Sequence, residues 1–415
     1  MACVVLLSIA SPADARVYSL DECIEIALKE NLTLAGARED LSGARAGVLS
    51  SWSSVMPRIS AGVGTSENMT VSDGVETTSD GASGSIGLSQ TLFDGSAFAG
   101  ISGAHHSKRA TELGLEATRR NVVFETKEAY YGLIRARELR AVQSEALELA
   151  QEQLRKTQSL FDLGSASRSD LLKAQVQVGE AELALIAAEK SAEIARAGLA
   201  FQLGIDVTTE IEVEDPPEDQ REQEVEVFDL ESAVSSRPDI QAWEESVVAA
   251  RRSLLSAKAG RWPDLGLSVS YSRGADTIGD LFDDMDQDYT RSVSLSASIP
   301  IFNGLSTKAS IDNSKSNLRA MEISLRNARL SAAYEIESAR LSVDEGRRSV
   351  TVAEASVLQA EEDLKVSEER FRLRAASMLE LIDARVAYSR ARADLVDARY
   401  NYEIAKAELK LALGM

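Results

Sequence analysis

RSVSLSASIPIFNG, Arg291 to Gly304, is the stretch on which the reading of this chain turns. From Val293 to Ile301 every odd position is apolar (Val293, Leu295, Ala297, Ile299, Ile301), and Ser292, Ser294, Ser296 and Ser298 hold the even positions. Strict alternation predicts a strand with two unlike faces, because successive side chains leave a strand on opposite sides. The run before it repeats the pattern, with Leu265, Leu267, Val269 and Tyr271 opposed to Gly266, Ser268 and Ser270. Two earlier runs behave alike: Ile59, Ala61 and Val63 against Ser60, Gly62 and Gly64, and Ile86 and Leu88 against Ser85, Gly87 and Ser89.

Around these strands the sequence favours long helices. After Pro12 the prolines stand at 57, 216, 217, 238, 263 and 300, so 58–215 and 301–415 contain none. Proline breaks a helix interior, and its absence permits helices of unusual length there. The runs 96–160 and 305–371 hold ~65 residues each, ~100 Å of helix at 1.5 Å per residue. Val350, Val357, Leu364 and Phe371 recur every seven residues, with Ala353, Ala360 and Ser367 between them; Arg140, Leu147, Leu154 and Phe161, with Gln143, Ala150 and Thr157, are their counterparts. Large residues alternating with small ones at a period of 3.5 predict a close-packed, left-handed coiled-coil seam.

The halves of the chain match each other. QTLFDGSAFAGI at 90 resembles IPIFNGLSTKAS at 299, and LFDLGSASRSDLL at 160 resembles RFRLRAASMLELI at 370. VMPRISAGVGTS at 55 likewise resembles RWPDLGLSVSYS at 261. Constant order at offsets of 206 to 210 points to duplication. Residues 16–210 and 228–415 are therefore expected as two structural repeats, joined by the acidic linker IEVEDPPEDQREQEVEV at 211–227. Each begins with a helix, about 20–55 or 230–260, the latter broken near Pro238, which suits a first helical turn. A strand pair follows, about 58–68 with 83–93 and 264–273 with 290–301, its members joined by polar loops rich in Gly and Asp. Two long helices complete each repeat, about 96–160 with 170–203 and 305–371 with 380–413.

Composition narrows the function classes. A net charge of −21 argues against nucleic acid, whose phosphates recruit Lys and Arg patches. The two cysteines, Cys3 and Cys23, form no metal-binding spacing, and the adjacent His105 and His106 leave a helix in different directions, so no metal or cofactor is expected. The N-terminus has an apolar run, Val4 to Ala10, followed by Ala13-Asp14-Ala15, a small-x-small cleavage pattern; residues 1–15 read as an export signal without its charged start. Cys3 precedes the apolar run, where a lipid-anchor cysteine would follow it. Apart from that run, no stretch is apolar for the 18 residues of a membrane-spanning helix.

Strands of about 10 residues with one greasy and one polar face suit a tilted crossing of a bilayer, and a bilayer tolerates no open sheet edge, so several copies would have to share a barrel. A soluble two-layer cap over a coiled coil is the alternative. At this point the order of elements, with LDECIEIALKEN, the proline before each hairpin, LFDGS/IFNG at the strand-to-helix junctions and FDLGSASRSDLLKAQ at the helix turn, resembles the TolC family of outer membrane efflux proteins over residues 18–415. The resemblance implies a mainly α fold with a transmembrane β portion: a homotrimer whose twelve-stranded barrel in the outer membrane continues into a twelve-helix periplasmic tunnel. It implies a passive exit duct of a tripartite efflux or type I secretion system, not an enzyme, partnered by a periplasmic adaptor and an inner-membrane transporter. A non-pore coiled-coil protein of the periplasm or cell surface is the competing reading. On the same resemblance, Glu380 and Asp383 match an acidic constriction. Asp170 matches a gate acid, with Arg374, Phe371 and Arg168 as lock candidates, although Phe371 replaces a tyrosine, Ala376 an arginine and Arg374 a glycine. Gly164, Ser165, Ala166, Ser167, Ala375, Ala376 and Ser377 match the tip that admits the adaptor, and the sequence ends at Leu413-Gly414-Met415, without the extension some members carry.

Overall fold

A computed structural model describes residues 17–215, 229–283, 287–373 and 375–415. The leader at 1–15, with Cys3, the linker from 216 to 227, and the lock candidate Arg374 lie outside the described residues. In chain order the elements are β1 (Val17–Tyr18), α1 (Leu20–Glu30), α2 (Leu32–Ser53), β2 (Arg58–Ser72), β3 (Val75–Phe93), α3 (Gly95–Asp162), α4 (Arg168–Leu203), β4 (Glu212–Val213), α5 (Leu230–Ser236), α6 (Pro238–Ala259), β5 (Asp264–Ala275), β6 (Tyr289–Ser298), α7 (Ser306–Arg372) and α8 (Met378–Ala412). Among the described residues no helix is long and apolar enough to cross a membrane.

Two compact units emerge, and they do not coincide with the sequence repeats. One gathers residues up to 38, 115–238 and 329–415; the other gathers 39–114 and 239–328. Each repeat gives a matching piece to each unit.

In the first unit, α1 starts with a capping box in which Ser19 and Glu22 satisfy each other's backbone N–H. Cys23, Ala27, Leu34, Val122, Tyr130, Ile134, Leu199 and Leu203 form its core, uniting α1, α3 and α4. Each fully buried Leu or Ile there contributes about 1.5–3 kcal/mol. The linker's first residues are drawn in as well: β4 pairs in parallel with β1, Tyr130 donates to the Glu214 carbonyl at 2.6 Å and Arg137 to that of Val213 at 3.0 Å. On the other side α8 lies against α7 and approaches closely at Gly346, where a Cβ would stand 3.1 Å from Tyr402. It also meets α3, where Arg135 donates to Asn401 at 2.9 Å and Tyr400 to Glu138 at 2.5 Å.

Both leading helices are broken. The sequence indicates a break only at Pro238, yet α1 also ends at Asn31, whose Oδ1 accepts from Thr33 and Leu34 N–H to start α2. Asn31 and Arg237 hold equivalent positions. Asn31 donates from Nδ2 to the Gln202 carbonyl at 2.8 Å, and Arg237 from Nη1 to the Ala412 carbonyl at 3.4 Å, closing the end of the last helix of each repeat.

The coiled-coil seam is real but uneven. Ala353, Leu364 and Ser367 are buried and Phe371 packs against Leu364, Leu381 and Ala384. In the first repeat the buried positions are Val142, Ala150, Gln153 and Thr157, whereas Arg140 and Phe161 are exposed. A guanidinium keeps the expected stripe from continuing upward through Arg140.

The second unit holds an antiparallel sheet in the order β2-β3-β5-β6, with α2, α6 and the adjoining ends of α3 and α7. Its first hairpin runs further than its alternation predicts: β2 and β3 pair without a gap up to Ser72 and Val75. Asp73 and Gly74, at φ 49° and 79°, make the two-residue turn, so the polar stretch expected as a loop is strand. β6 stops at Ser298, short of Pro300, which has no N–H to give the ladder.

Candidate functional site

The four-stranded sheet sorts its residues by chemistry across every strand. Cross-strand partners share a face. Ile59 pairs with Leu88, Leu88 with Val269, and Val269 with Val293, while Ala61, Ile86 and Tyr271 continue the next rung. On the opposite face Ser60, Gly87, Ser270 and Ser292 are aligned, then Gly62, Ser85, Ser272 and Thr290. Ser270 and Ser292 are hydrogen-bonded at 2.8 Å. In the single chain most of the apolar face is uncovered, with Ile59 78% exposed, Val293 74% and Leu295 70%, although Leu281 packs over Gly84 toward its hairpin end. Burial of such residues would be worth ~25 cal/mol per Å², so this apolar sheet needs a non-aqueous surround. Strands β2 and β6 are its outer members, and among the described residues no further strand pairs with either.

The strand-to-helix junctions turn on the LFDG and IFNG motifs. Asp94 accepts from Ser96 and Ala97 N–H and caps α3. Trp262 lies on Gly95, where a Cβ would stand 2.4 Å from the indole. In the second repeat Gly304 and Leu305 take positive φ, 63° and 69°, to turn the chain into α7. The histidines diverge as expected: His106 Nδ1 meets Glu245 at 2.6 Å, which also meets Arg109, while His105 Nε2 accepts from Trp52 at 3.4 Å.

The helix turns of the first unit share two hydrogen bonds at equivalent positions. Ser165 N–H reaches the Leu160 carbonyl at 2.7 Å, and Ala375 N–H reaches that of Arg370 at 2.7 Å. Ser167 caps α4 by accepting from Asp170 N–H at 3.1 Å, and Ser377 caps α8 by accepting from Glu380 N–H at 3.2 Å. Gly164 supplies the left-handed residue, at φ 70°, that the first turn requires. Behind these turns α3, α4 and α8 enclose a groove of about 380 Å³ lined by Leu149, Gln153, Ala181, Leu381 and Arg385. Arg385 crosses from α8, donating to the Leu149 carbonyl and to Glu368, both at 2.9 Å.

This duplicated pattern of hairpin, long helix, capped turn and returning helix agrees with a family model: residues 23–205 and 230–415 match the outer membrane efflux protein family. The chain belongs to the outer membrane efflux protein family. It is 27% identical over 305 residues to the outer membrane efflux protein BepC of Brucella suis, a match covering 72% of this chain and 64% of that protein. With the pyoverdine export outer membrane protein OpmQ of Pseudomonas aeruginosa it shares 26% over 328 residues, covering 77% and 68%. The chain thus spans about two-thirds the length of these relatives. Among solved structures, the CmeC outer membrane channel of Campylobacter jejuni superposes with a TM-score of 0.85 at 20% identity, covering 95% of this chain and 85% of that one. That likeness shows the fold.

The efflux-protein tip residues named from sequence fall into distinct settings. Gly164, Ser165, Ala166 and Ser167 form one turn and Ala375, Ala376 and Ser377 the other, all exposed or half-buried. Glu380 and Asp383 are exposed on α8, and Arg370 stands 3.6 Å from Glu380. Asp170 is not held by Arg168 in the single chain: its carboxylate accepts from Ser167 Oγ at 2.7 Å and from Ser167 N–H at 3.2 Å. Phe371 is half-buried in the α7–α8 seam, where its missing hydroxyl leaves it a packing residue. Arg370 escaped the sequence reading; it lies ten positions before Glu380, and only the closed turn brings the two together.

Proposed function

We propose that three copies of this chain form a passive exit duct across the outer membrane, opened when a periplasmic adaptor and an inner-membrane transporter dock at its helical tips. The observation that carries this reading is the exposed two-faced sheet, whose outer strands pair with no other strand among the described residues. Hydrocarbon excludes open edges, so four strands per chain close only with strands from other copies. Three copies give a twelve-stranded barrel, its apolar face to lipid and its Ser, Gly and Thr face to a water-filled lumen. Exposed apolar stripes support the same assembly: Leu183, Ile186, Ile194 and Phe201 on α4, and Leu330, Tyr334, Leu341 and Val352 on α7, lie uncovered in the single chain. They are unlike surfaces, and a ring closes by joining one to the other around an axis. Family membership and the roles in efflux and export that the relatives are named for point the same way.

Spin labels give the direct test. In membranes, a label at Ser296 should be accessible to a water-soluble relaxation agent and one at Leu295 to oxygen in lipid. Equal accessibility at the two sites, together with recovery of the protein in the soluble periplasmic fraction, would rule out the barrel.

A further inference from the structure

The apolar face of the sheet ends in a cluster that a hydrocarbon surround does not explain. On β5 and β6, Tyr271 pairs with Arg291, and Arg273 with Tyr289. Register places all four on the same face as Val269 and Val293. The two tyrosine rings stack at 5.5 Å, and the Arg291 guanidinium lies over both, 4.6 Å from Tyr289 and 5.9 Å from Tyr271. Arg273 donates from Nη1 to the Leu281 carbonyl at 2.9 Å, while its Nε is buried without a partner. Neither guanidinium pairs with a described carboxylate, although Asp276, Asp280, Asp283 and Asp288 lie in the adjoining segment.

Two arginines that pair with no carboxylate among the described residues, on a face whose strands β5 and β6 otherwise carry Leu265, Leu267, Val269, Val293 and Leu295, call for a negative group at the edge of the apolar zone. The run from Leu265 to Arg273, at ~3.3 Å per residue and tilted ~40°, rises ~20 Å, near the height of a barrel's apolar band. In the proposed duct the helices that run to the periplasmic tips join the sheet at the Asp264 and Ser298 ends, so the cluster, at the opposite ends of β5 and β6, stands at the outer rim. We infer that Arg273 and Arg291, buttressed by Tyr271 and Tyr289, bind the phosphate of an anionic lipid headgroup in the outer leaflet. Guanidinium forks match phosphate oxygens in geometry as well as charge, and the Tyr289 hydroxyl can add a further donor. The stacked rings hold the Arg291 fork in place, so little rotamer freedom is lost on binding.

The inference rests on the barrel reading, and one experiment separates their failures. The full chain is reconstituted in phosphatidylcholine vesicles with spin-labelled phosphatidic acid or spin-labelled phosphatidylcholine, and the motionally restricted fraction of each is measured. The wild-type protein should prefer phosphatidic acid by roughly fivefold or more. R273Q/R291Q should bring the ratio close to one, and R273K/R291K should keep most of it; R58Q, at the opposite end of the sheet on β2, should leave it unchanged. Inorganic phosphate should not displace the labelled lipid. Undiminished preference in R273Q/R291Q would overturn the assignment, as would displacement by free phosphate, or loss of trimer heat resistance in that variant with lipid preference intact, which would mark a charge pair with a neighbouring copy. Failure to find any restricted lipid, in any variant, would instead overturn the barrel reading.

Discussion

Asn31 shows how much one side chain does in this chain. Only 5% exposed, it ends α1, starts α2 through two backbone N–H groups, and donates across to the Gln202 carbonyl. Asn31→Ala removes an N-cap and takes the donor from the half-buried Gln202 carbonyl, a loss of about 2 kcal/mol; Asn31→Asp keeps the cap and loses only the donor, so its cost should be smaller. Heat dissociation of the detergent-solubilised assembly, read on a gel, would rank the two. Beside it, burial pushes the Cys23 thiol up to about 12 and, with Glu403 adding to burial, the Tyr131 phenol up to about 12 as well. Both groups hold their protons more tightly folded than unfolded, so above pH 9 the unfolded chain releases protons that the folded chain retains, and stability falls as pH rises. Circular dichroism should accordingly show unchanged stability from pH 7 to 9 and progressive loss between pH 9 and 12; Cys23→Ser should move the onset of that loss to higher pH. The sequence marks Cys23 as a small buried helix residue, but the kink at Asn31 carries no proline and is visible only through its partner 171 positions away.

At the level of elements, alternation reads the four strands well because each keeps one chemistry per face over its length. The two-residue turn at Asp73-Gly74 is a further signal that its polar surroundings obscure: Asp-Gly suits positive φ at both turn positions, and β2 and β3 extend to meet it. The coiled-coil repeat reads less well, since a seam is defined by which neighbour covers it, and Arg140 and Phe161 have no such cover. The junction motifs divide their labour. Gly95 is needed for space beneath Trp262, whereas Gly304 is needed for its backbone angle. Gly95→Ala should therefore displace the indole and cost about 1–3 kcal/mol of stability, seen as a red-shifted tryptophan emission and a lower dissociation temperature. Pairing Gly95→Ala with Trp262→Ala should restore normal behaviour at the junction beyond the sum of the single changes; strict additivity would show that the contact is unimportant.

For the molecule as a whole, duplication supplies chemistry by bringing one repeat's features next to the other's. The two turns share the bond back to Leu160 or Arg370 and the serine cap, yet only the second places an acid pair, Glu380 and Asp383, exposed on one helix face behind that cap. Three copies would set six such carboxylates about one axis, and in the lumen of a narrow duct their field would favour cations over anions. Arg370, 3.6 Å from Glu380, opposes that field. The pair is half-exposed, so its own stability is worth little; its effect is on the sign and strength of the potential an ion meets. In planar bilayers the E380Q/D383N channel should lose cation preference, with the cation-to-anion permeability ratio dropping by roughly fivefold at low salt and less at high salt, where the Debye length shrinks. R370Q should move the ratio the other way, because it removes three positive charges from beside the ring. If E380Q/D383N left selectivity unchanged while R370Q shifted it, the field at this end would be set by the arginines and the acids would serve only as helix-start charges.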